Sequence, residues 1–172
     1  MKKLFLIAAV ALSMSLVACS GGNKDNSKES AQSVEEIKDG NTYEGKSYTV
    51  TYPKDWKESF SSEDILNVKS ADETMLFSIN FDPEGGTVDQ LKEKGDFAKL
   101  VNPKEYKEVG DPKITDNLLL LRRVKNDGEV ELSYMKVLEG SKCIMGAITS
   151  PADKEAEAEK ILMSLISSVK MK

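Results

Sequence analysis

The chain has 172 residues, of which 40% are hydrophobic, 31% charged and 6% aromatic, and its formal net charge is −5. It contains no histidine, which excludes Ser-His-Asp and Cys-His catalysis, histidine zinc sites and histidine proton relays. A mean hydropathy of −0.39 with one short apolar run excludes a membrane protein with several spans. The composition therefore predicts one globular domain.

The first residues have the pattern of a secretion signal. Lys2 and Lys3 form a positively charged start, and an uncharged, mostly apolar run follows from Leu4 to Val17. Its fourteen residues would cover about 21 Å as a helix, less than the roughly 30 Å hydrocarbon core of a bilayer. A cleavable signal peptide over residues 1–18 is therefore expected rather than a spanning helix.

The end of this run resembles the lipobox of bacterial lipoproteins. It reads Leu16, Val17, Ala18 and Cys19. In a lipobox the cysteine that follows the small residue becomes the acylated first residue of the mature chain. The resemblance implies lipidation at Cys19, with each buried methylene of the acyl chains contributing about 0.8 kcal/mol to a membrane anchor. The alternatives are an ordinary signal peptide with a chance cysteine and a buried cysteine of a first helix.

The lipobox resemblance implies a bacterial cell envelope protein that contacts the lipid bilayer through its acyl chains. Ser20 rather than aspartate follows the cysteine, which resembles the outer-membrane pattern of sources with two membranes. Residues 20–30 contain no large apolar side chain, so they cannot bury enough surface to fold. We expect an acylated cysteine and flexible tether over residues 19–42 and a single domain over residues 43–172.

Cleavage before Cys19 changes the charge and the cysteine count of the mature chain. The loss of Lys2 and Lys3 takes the formal net charge from −5 to −7, and an acidic domain argues against nucleic acid as a partner. Cys143 is the second of the two cysteines. With Cys19 acylated, no intramolecular disulfide is expected.

Alternating apolar residues predict strands in the first half of the domain. One strand has Tyr48, Val50 and Tyr52 on one face and is ended by Pro53. Further strands are predicted over residues 65–69 and 74–81.

A short helix is predicted after a turn at residues 83–86. Thr87 and Gln90 have the spacing of a capping box, in which each side chain bonds the backbone of the other residue. The helix is expected to break or bend at Gly95.

Two hairpins are predicted in the second half. The first joins residues 118–125 to 129–139, and a three-residue loop would place Arg123 opposite Glu131. Because this loop pairs opposite charges, we prefer it to a two-residue loop. The second hairpin is expected to turn at Gly140 and Ser141, with Leu138 opposite Cys143 and Val137 opposite Ile144.

The strongest local signals lie at the C-terminus. Ser150 and Pro151 suit the start of a helix, and apolar residues from Ala158 to Val169 recur at spacings of three and four. We predict a helix over Pro151–Lys170 that packs on an antiparallel, meandering sheet. The fold class is therefore α+β, with the sheet covered on both faces at least in its centre, as in an α/β/α sandwich.

The domain resembles the PsbP-like (Mog1/PsbP/DcrB) superfamily. The resemblance lies in the motif from Tyr48 through Tyr52 and Pro53 to Trp56, in the meandering strands, and in the strand that leads through Pro151 into a helix. It implies an antiparallel sheet between helices over roughly residues 43–172. It implies no catalytic residue, because members share a scaffold more than an activity. The motif residues are interpreted as serving the fold.

Few residues stand out as candidate sites. Asp82, Glu84 and Asp89 surround a Gly-Gly turn, but their spacing matches no EF-hand, and Gly85-Gly86 lacks the lysine of a phosphate-binding loop. We therefore expect no metal site and no cofactor. Cys143 lies in an apolar strand and is interpreted as a small buried hydrophobe.

Arg122 is the charge that the pattern places least easily, because it shares a strand face with Leu120, Leu132 and Tyr134. Its guanidinium could receive a carboxylate or phosphate ligand, or it could reach water or an internal glutamate. The sequence favours a non-catalytic envelope lipoprotein with a small binding domain and a protein partner. The alternatives are a hydrolase that uses a carboxylate pair and a small-ligand-binding domain with Arg122 in the site.

Overall fold

Eleven strands and two helices lie within residues 36–100 and 104–172, the part of the chain that the computed structural model describes. The predicted signal peptide, the lipobox with Cys19 and most of the predicted tether lie outside the described residues. Neither helix has the length and apolar composition needed to cross a membrane. In chain order the elements are β1 (Asn41–Glu44), β2 (Tyr48–Tyr52), β3 (Lys57–Ser62), β4 (Ile65–Lys69), β5 (Leu76–Asp82), α1 (Leu91–Leu100), β6 (Tyr106–Val109), β7 (Lys113–Thr115), β8 (Leu118–Lys125), β9 (Val130–Val137), β10 (Cys143–Ser150), α2 (Glu155–Ser168) and β11 (Lys170–Met171).

The larger of two sheets is antiparallel throughout and confirms the α+β class. Its strand order is β3-β4-β5-β10-β9-β8-β6, and β7 pairs with the first residues of β8. The hairpin of β8 and β9 has the predicted register, with Arg123 opposite Glu131 and Val124 opposite Val130. Gly128 ends its three-residue loop at a φ of 97°, a conformation that glycine adopts without strain.

The predicted register of the next hairpin is wrong by one residue. Cys143 lies opposite Val137 rather than Leu138, because the loop contains three residues and Leu138 donates its N–H to Lys142 instead. The observed register places Ile148 opposite Leu132, so that these two apolar side chains point to the same face of the sheet. A slip of one residue would turn every β10 side chain to the opposite face of the sheet.

A smaller sheet and α2 cover one face of the larger sheet. The smaller sheet has the order β1-β2-β11, and Tyr48, Val50 and Tyr52 of β2 are buried, as their alternation predicts. The main core lies between these layers and includes residues of β4, β5, β9 and β10. β1 begins at Asn41, two residues before the predicted start of the domain, because residues 41–44 pair with β2.

The C-terminal helix is shorter at both ends than the predicted Pro151–Lys170. Ser150 is the last residue of β10 and not a helix cap, and Pro151 has an extended ψ of 150° ahead of a 3-10 turn. α2 therefore begins at Glu155. It ends at Ser168, because the following residues pair with the edge of β2 and form β11.

The apolar stripe of α2 is confirmed. Its buried residues include Ala158, Leu162, Leu165 and Ile166, which recur at helical spacing and belong to the main core. The helix contacts β2, β9 and β10, so it joins the two sheets.

On the opposite face of the larger sheet, α1 packs mainly on β8 and therefore covers only part of that face. Leu91 is buried against a small cluster that includes Leu119 and Cys143, while neither described helix packs extensively on strands β3, β4 and β5. Of the break or bend expected at Gly95, the break is wrong, since α1 is continuous. A Cβ at Gly95 would lie 2.9 Å from Pro112, so glycine permits the close approach of the helix to its neighbours.

Candidate interaction surface

The part of the larger sheet that α1 leaves uncovered forms a continuous surface, which we call the open sheet face. Directly paired residues of antiparallel strands point to the same side of a sheet, so the register identifies its members. From β3 to β10 they are Lys57, Phe60, Ser62, Ile65, Asn67, Lys69, Leu76, Ser78, Asn80, Asp82, Met145, Ala147 and Thr149.

Three large apolar side chains of the open sheet face are exposed. Phe60 is 52% exposed, Ile65 37% and Leu76 38%. Small polar side chains, among them Asn67 and Ser78, lie between them in the register. Such a mixture of exposed apolar groups and hydrogen-bonding groups fits either a solvated surface or a surface that binds another protein.

Beside α1 this side of the sheet deepens into a cleft of about 300 Å³. Lys94 and Ala98 of α1 line it together with Leu119, Met135 and Met145 of the sheet. Met145, which lines the cleft, is also a member of the open sheet face, so the cleft adjoins that face.

Two lysines of the open sheet face lie directly opposite one another. Lys57 of β3 pairs with Lys69 of β4, and Leu76 and Thr149 continue the same row. Neither lysine takes part in an ion pair with another described residue. Glu131, which lies next in the row, accepts a hydrogen bond from Arg123 at 3.2 Å and is therefore already paired.

Arg122 is held by two carboxylates of this chain, on the face opposite the open sheet face. Its Nε and Nη2 donate to the two carboxylate oxygens of Glu155 at 2.6 and 2.9 Å, and its Nη1 donates to Glu108 Oε1 at 2.7 Å. The hydrogen bond to Glu155 raises the pKa of the guanidinium, and the same bond lowers the pKa of the Glu155 carboxyl. Of the alternatives for Arg122, the structure shows an internal glutamate partner.

Glu108 and Glu155 both bind Arg122, and a hydrolase would need two neighbouring carboxylates, but the contacts of this pair do not suit acid catalysis. A general acid requires a raised pKa, and the hydrogen bonds of Arg122 shift the pKa of Glu155 downward. The adjoining cavity has a volume of about 50 Å³, room for roughly two water molecules. The arrangement therefore does not favour the hydrolase or the Arg122 ligand site.

The remaining candidates have structural surroundings. Cys143 is fully buried, as predicted, and burial raises the pKa of its thiol to about 11. Asp82 accepts a hydrogen bond from the backbone N–H of Glu84 at 2.9 Å, which closes the turn after β5. Across residues 36–100 and 104–172, no cluster of three or more carboxylate or cysteine side chains could hold a metal ion.

The residues that carry the family resemblance serve the fold, as interpreted from the sequence. Tyr52 and Trp56 are buried in the main core. The Tyr52 hydroxyl donates to Glu58 Oε1 at 2.9 Å, and the backbone N–H of Trp56 donates to the carbonyl of Pro53 at 3.0 Å. The proline thus closes a turn that folds the tryptophan into the core.

Sequence reasoning did not identify the open sheet face. A partial signal was present, since Leu76, Ser78 and Asn80 alternate with the predicted buried residues of β5 and are mixed in polarity. A mixed face fits either a solvated surface or a binding surface. Only the position of α1 shows that the helices within residues 36–100 and 104–172 leave it uncovered.

No protein-family model and no curated protein sequence matches the chain. A crystal structure from Bacteroides thetaiotaomicron is 16% identical with a TM-score of 0.42, and the match covers 74% of this chain and 48% of that one. The chain therefore spans about half the length of the Bacteroides protein. The solution structure of the PsbP protein CyanoP from Synechocystis is 17% identical with a TM-score of 0.48, covering 73% of this chain and 86% of that one. These likenesses concern the fold alone.

Proposed function

We propose that the chain is a bacterial envelope lipoprotein, anchored in a membrane through acyl chains on Cys19, whose domain binds a protein partner and catalyses no reaction. The anchor is supported by the charged start, the apolar run and the lipobox sequence Leu16 to Cys19. In a source with two membranes, Ser20 supports the outer membrane as its location.

The open sheet face is the observation that carries the binding role. It exposes Phe60, Ile65 and Leu76 on a sheet, where neither described helix covers them. Large apolar groups in water contribute little to the stability of a folded domain, whereas their burial by a partner would contribute about 25 cal/mol of binding free energy for each Å² of apolar surface.

The anchor is tested by comparing the two cysteines of the chain. The Cys19→Ser variant is expected to lose incorporation of labelled palmitate and to leave the membrane fraction in a high-salt wash. The Cys143→Ala variant is the matched control and keeps both properties, because this thiol is buried in the domain. If the Cys19→Ser variant stays membrane-bound after the wash, the lipoprotein proposal is wrong.

The binding role is tested by affinity purification of the full chain from solubilised membranes of its host. Phe60→Ser and Leu76→Ser are expected to reduce the recovery of a co-purifying protein. Val88→Ser is the control, because this valine is also exposed but lies outside the open sheet face. Equal recovery with all three variants would locate the binding elsewhere.

A further inference from the structure

We infer that the open sheet face binds an acidic segment of its protein partner, with partner carboxylates between Lys57 and Lys69 and partner apolar side chains over Leu76 and Phe60. This inference rests on the proposed binding function and names the chemistry of the partner.

The first reason is the like-charge pair itself. Directly opposed residues of an antiparallel pair have Cβ atoms about 5 Å apart, and side chains of like charge at such positions destabilise the pairing. Lys57 and Lys69 occupy such positions, and neither has a carboxylate partner among the described residues. An anion placed between the two ammonium groups would convert the repulsion into two charge-assisted contacts.

The second reason is that the adjoining side chains suit a protein rather than a lipid or a nucleic acid. Leu76 lies opposite Lys69 and is exposed, so apolar contact is available directly beside the charges. Asn67 and Asn80 share the face, and their side-chain amides would have no partner in hydrocarbon but find donors and acceptors on a protein surface. The chain's net charge of −5 opposes a polyanion such as nucleic acid, whereas a short acidic segment contacts only the two lysines.

Strand addition to β3 fits the structure less well. β3 is an edge strand, but its register shifts at a bulge between Glu58 and Phe60. The carbonyl of Ser62 accepts a hydrogen bond from the hydroxyl of Tyr43, so part of the edge is already occupied. Bulges and occupied edge groups oppose the pairing of a further strand. We therefore place the partner on the face of the sheet.

The experiment uses photo-crosslinking in the host cell, with benzoylphenylalanine in place of Phe60 in the full chain. The same group in place of Lys160, an exposed residue of α2, reports background. We expect a crosslink from position 60 above that background, to a protein segment with at least two aspartates or glutamates near the crosslinked residue. A crosslink to lipid, a segment without acidic residues, or no crosslink above background overturns the inference.

A charge variant keeps the test independent of folding. Lys57→Glu places opposite charges across β3 and β4, so the melting temperature should be unchanged or higher. The new glutamate would pair with Lys69, which would then no longer be available to a partner carboxylate. The crosslink from position 60 should fall at least tenfold. Lys142→Glu makes the same charge change at an exposed position outside the face and should keep the crosslink within twofold. Equal crosslinking in both variants overturns the acidic partner, and palmitate labelling reports separately whether the anchor exists.

Discussion

Replacement of Arg122 by methionine is expected to destabilise the domain at neutral pH. Methionine keeps an apolar stem beside Leu132 but removes the hydrogen bonds to Glu155 and Glu108. Two carboxylates that shared one cation are then left next to each other. Like-charge repulsion therefore replaces attraction at the junction of β6, β8 and α2.

The magnitude follows from the partial exposure of the group. The Arg122 side chain is 37% exposed and that of Glu155 is 29% exposed, so water screens part of the attraction. The contribution should lie between the 0.2–1 kcal/mol of exposed ion pairs and the 1.5–3 kcal/mol of hydrogen bonds to charged groups, at about 1–2 kcal/mol. For a domain of this size, that loss lowers the melting temperature by about 4–8 °C.

The loss should depend on pH in a defined direction. Arg122 holds the pKa of Glu155 below its ordinary value of 4.5. A carboxyl with a depressed pKa stabilises the folded state above the pKa that it has when unfolded, and this stabilisation is lost as the pH falls through the folded-state pKa. The difference between wild type and the Arg122→Met variant should therefore be complete near pH 7 and smaller below about pH 4.5.

Urea denaturation at pH 7 and pH 3 measures both effects. A double-mutant cycle with Glu155→Gln should give a coupling free energy of about 1 kcal/mol at pH 7. Lys92→Met removes an ion pair whose two side chains are well exposed and should leave the midpoint unchanged. Equal stability of wild type and Arg122→Met at pH 7, or an equal loss at both pH values, would refute this reasoning.

Further predictions concern the packing of the domain. Gly146→Ala should lower the free energy of unfolding by at least about 2 kcal/mol, because its Cβ would lie 2.0 Å from the carbonyl oxygen of Ser78; a wild-type melting temperature would contradict this. Cys143 should resist iodoacetamide at pH 8 until urea unfolds the domain, because the thiol is buried and its pKa is raised to about 11; rapid labelling of the folded chain would show access that the structure lacks. Leu165→Ala should lower the free energy of unfolding by about 2–5 kcal/mol, because this leucine is buried in the main core. Truncation after Thr149 removes α2 and should abolish cooperative melting.

The sequence alone determined the elements that bury one face. Strands β2 and β5, the hairpin of β8 and β9, and the apolar stripe of α2 all follow from local periodicity, because the side that faces the core must be apolar. The register of that hairpin was also predictable, because Arg123 and Glu131 are close in sequence and their charges favour one loop length.

Elements that bury little or pair at long range could not be predicted in this way. All six residues of β3 are exposed, so its sequence has no alternation and only the edge of β4 makes it a strand. β11 exists because β2 offers an edge to Lys170 and Met171, whereas the local signal continues the helix. The register of β9 with β10 depends on which layer each face of the sheet meets.

The surroundings of Arg122 and the open sheet face likewise depend on contacts between distant parts of the chain. The partners of Arg122 come from β6 and α2, which lie 14 and 33 residues away along the chain. The open sheet face exists because α1 packs mainly on β8. The opposed pair of Lys57 and Lys69 exists because a bulge sets the register of β3. Side-chain periodicity determines which residues can face a core, but the docking of whole elements determines which faces are covered and which charges meet.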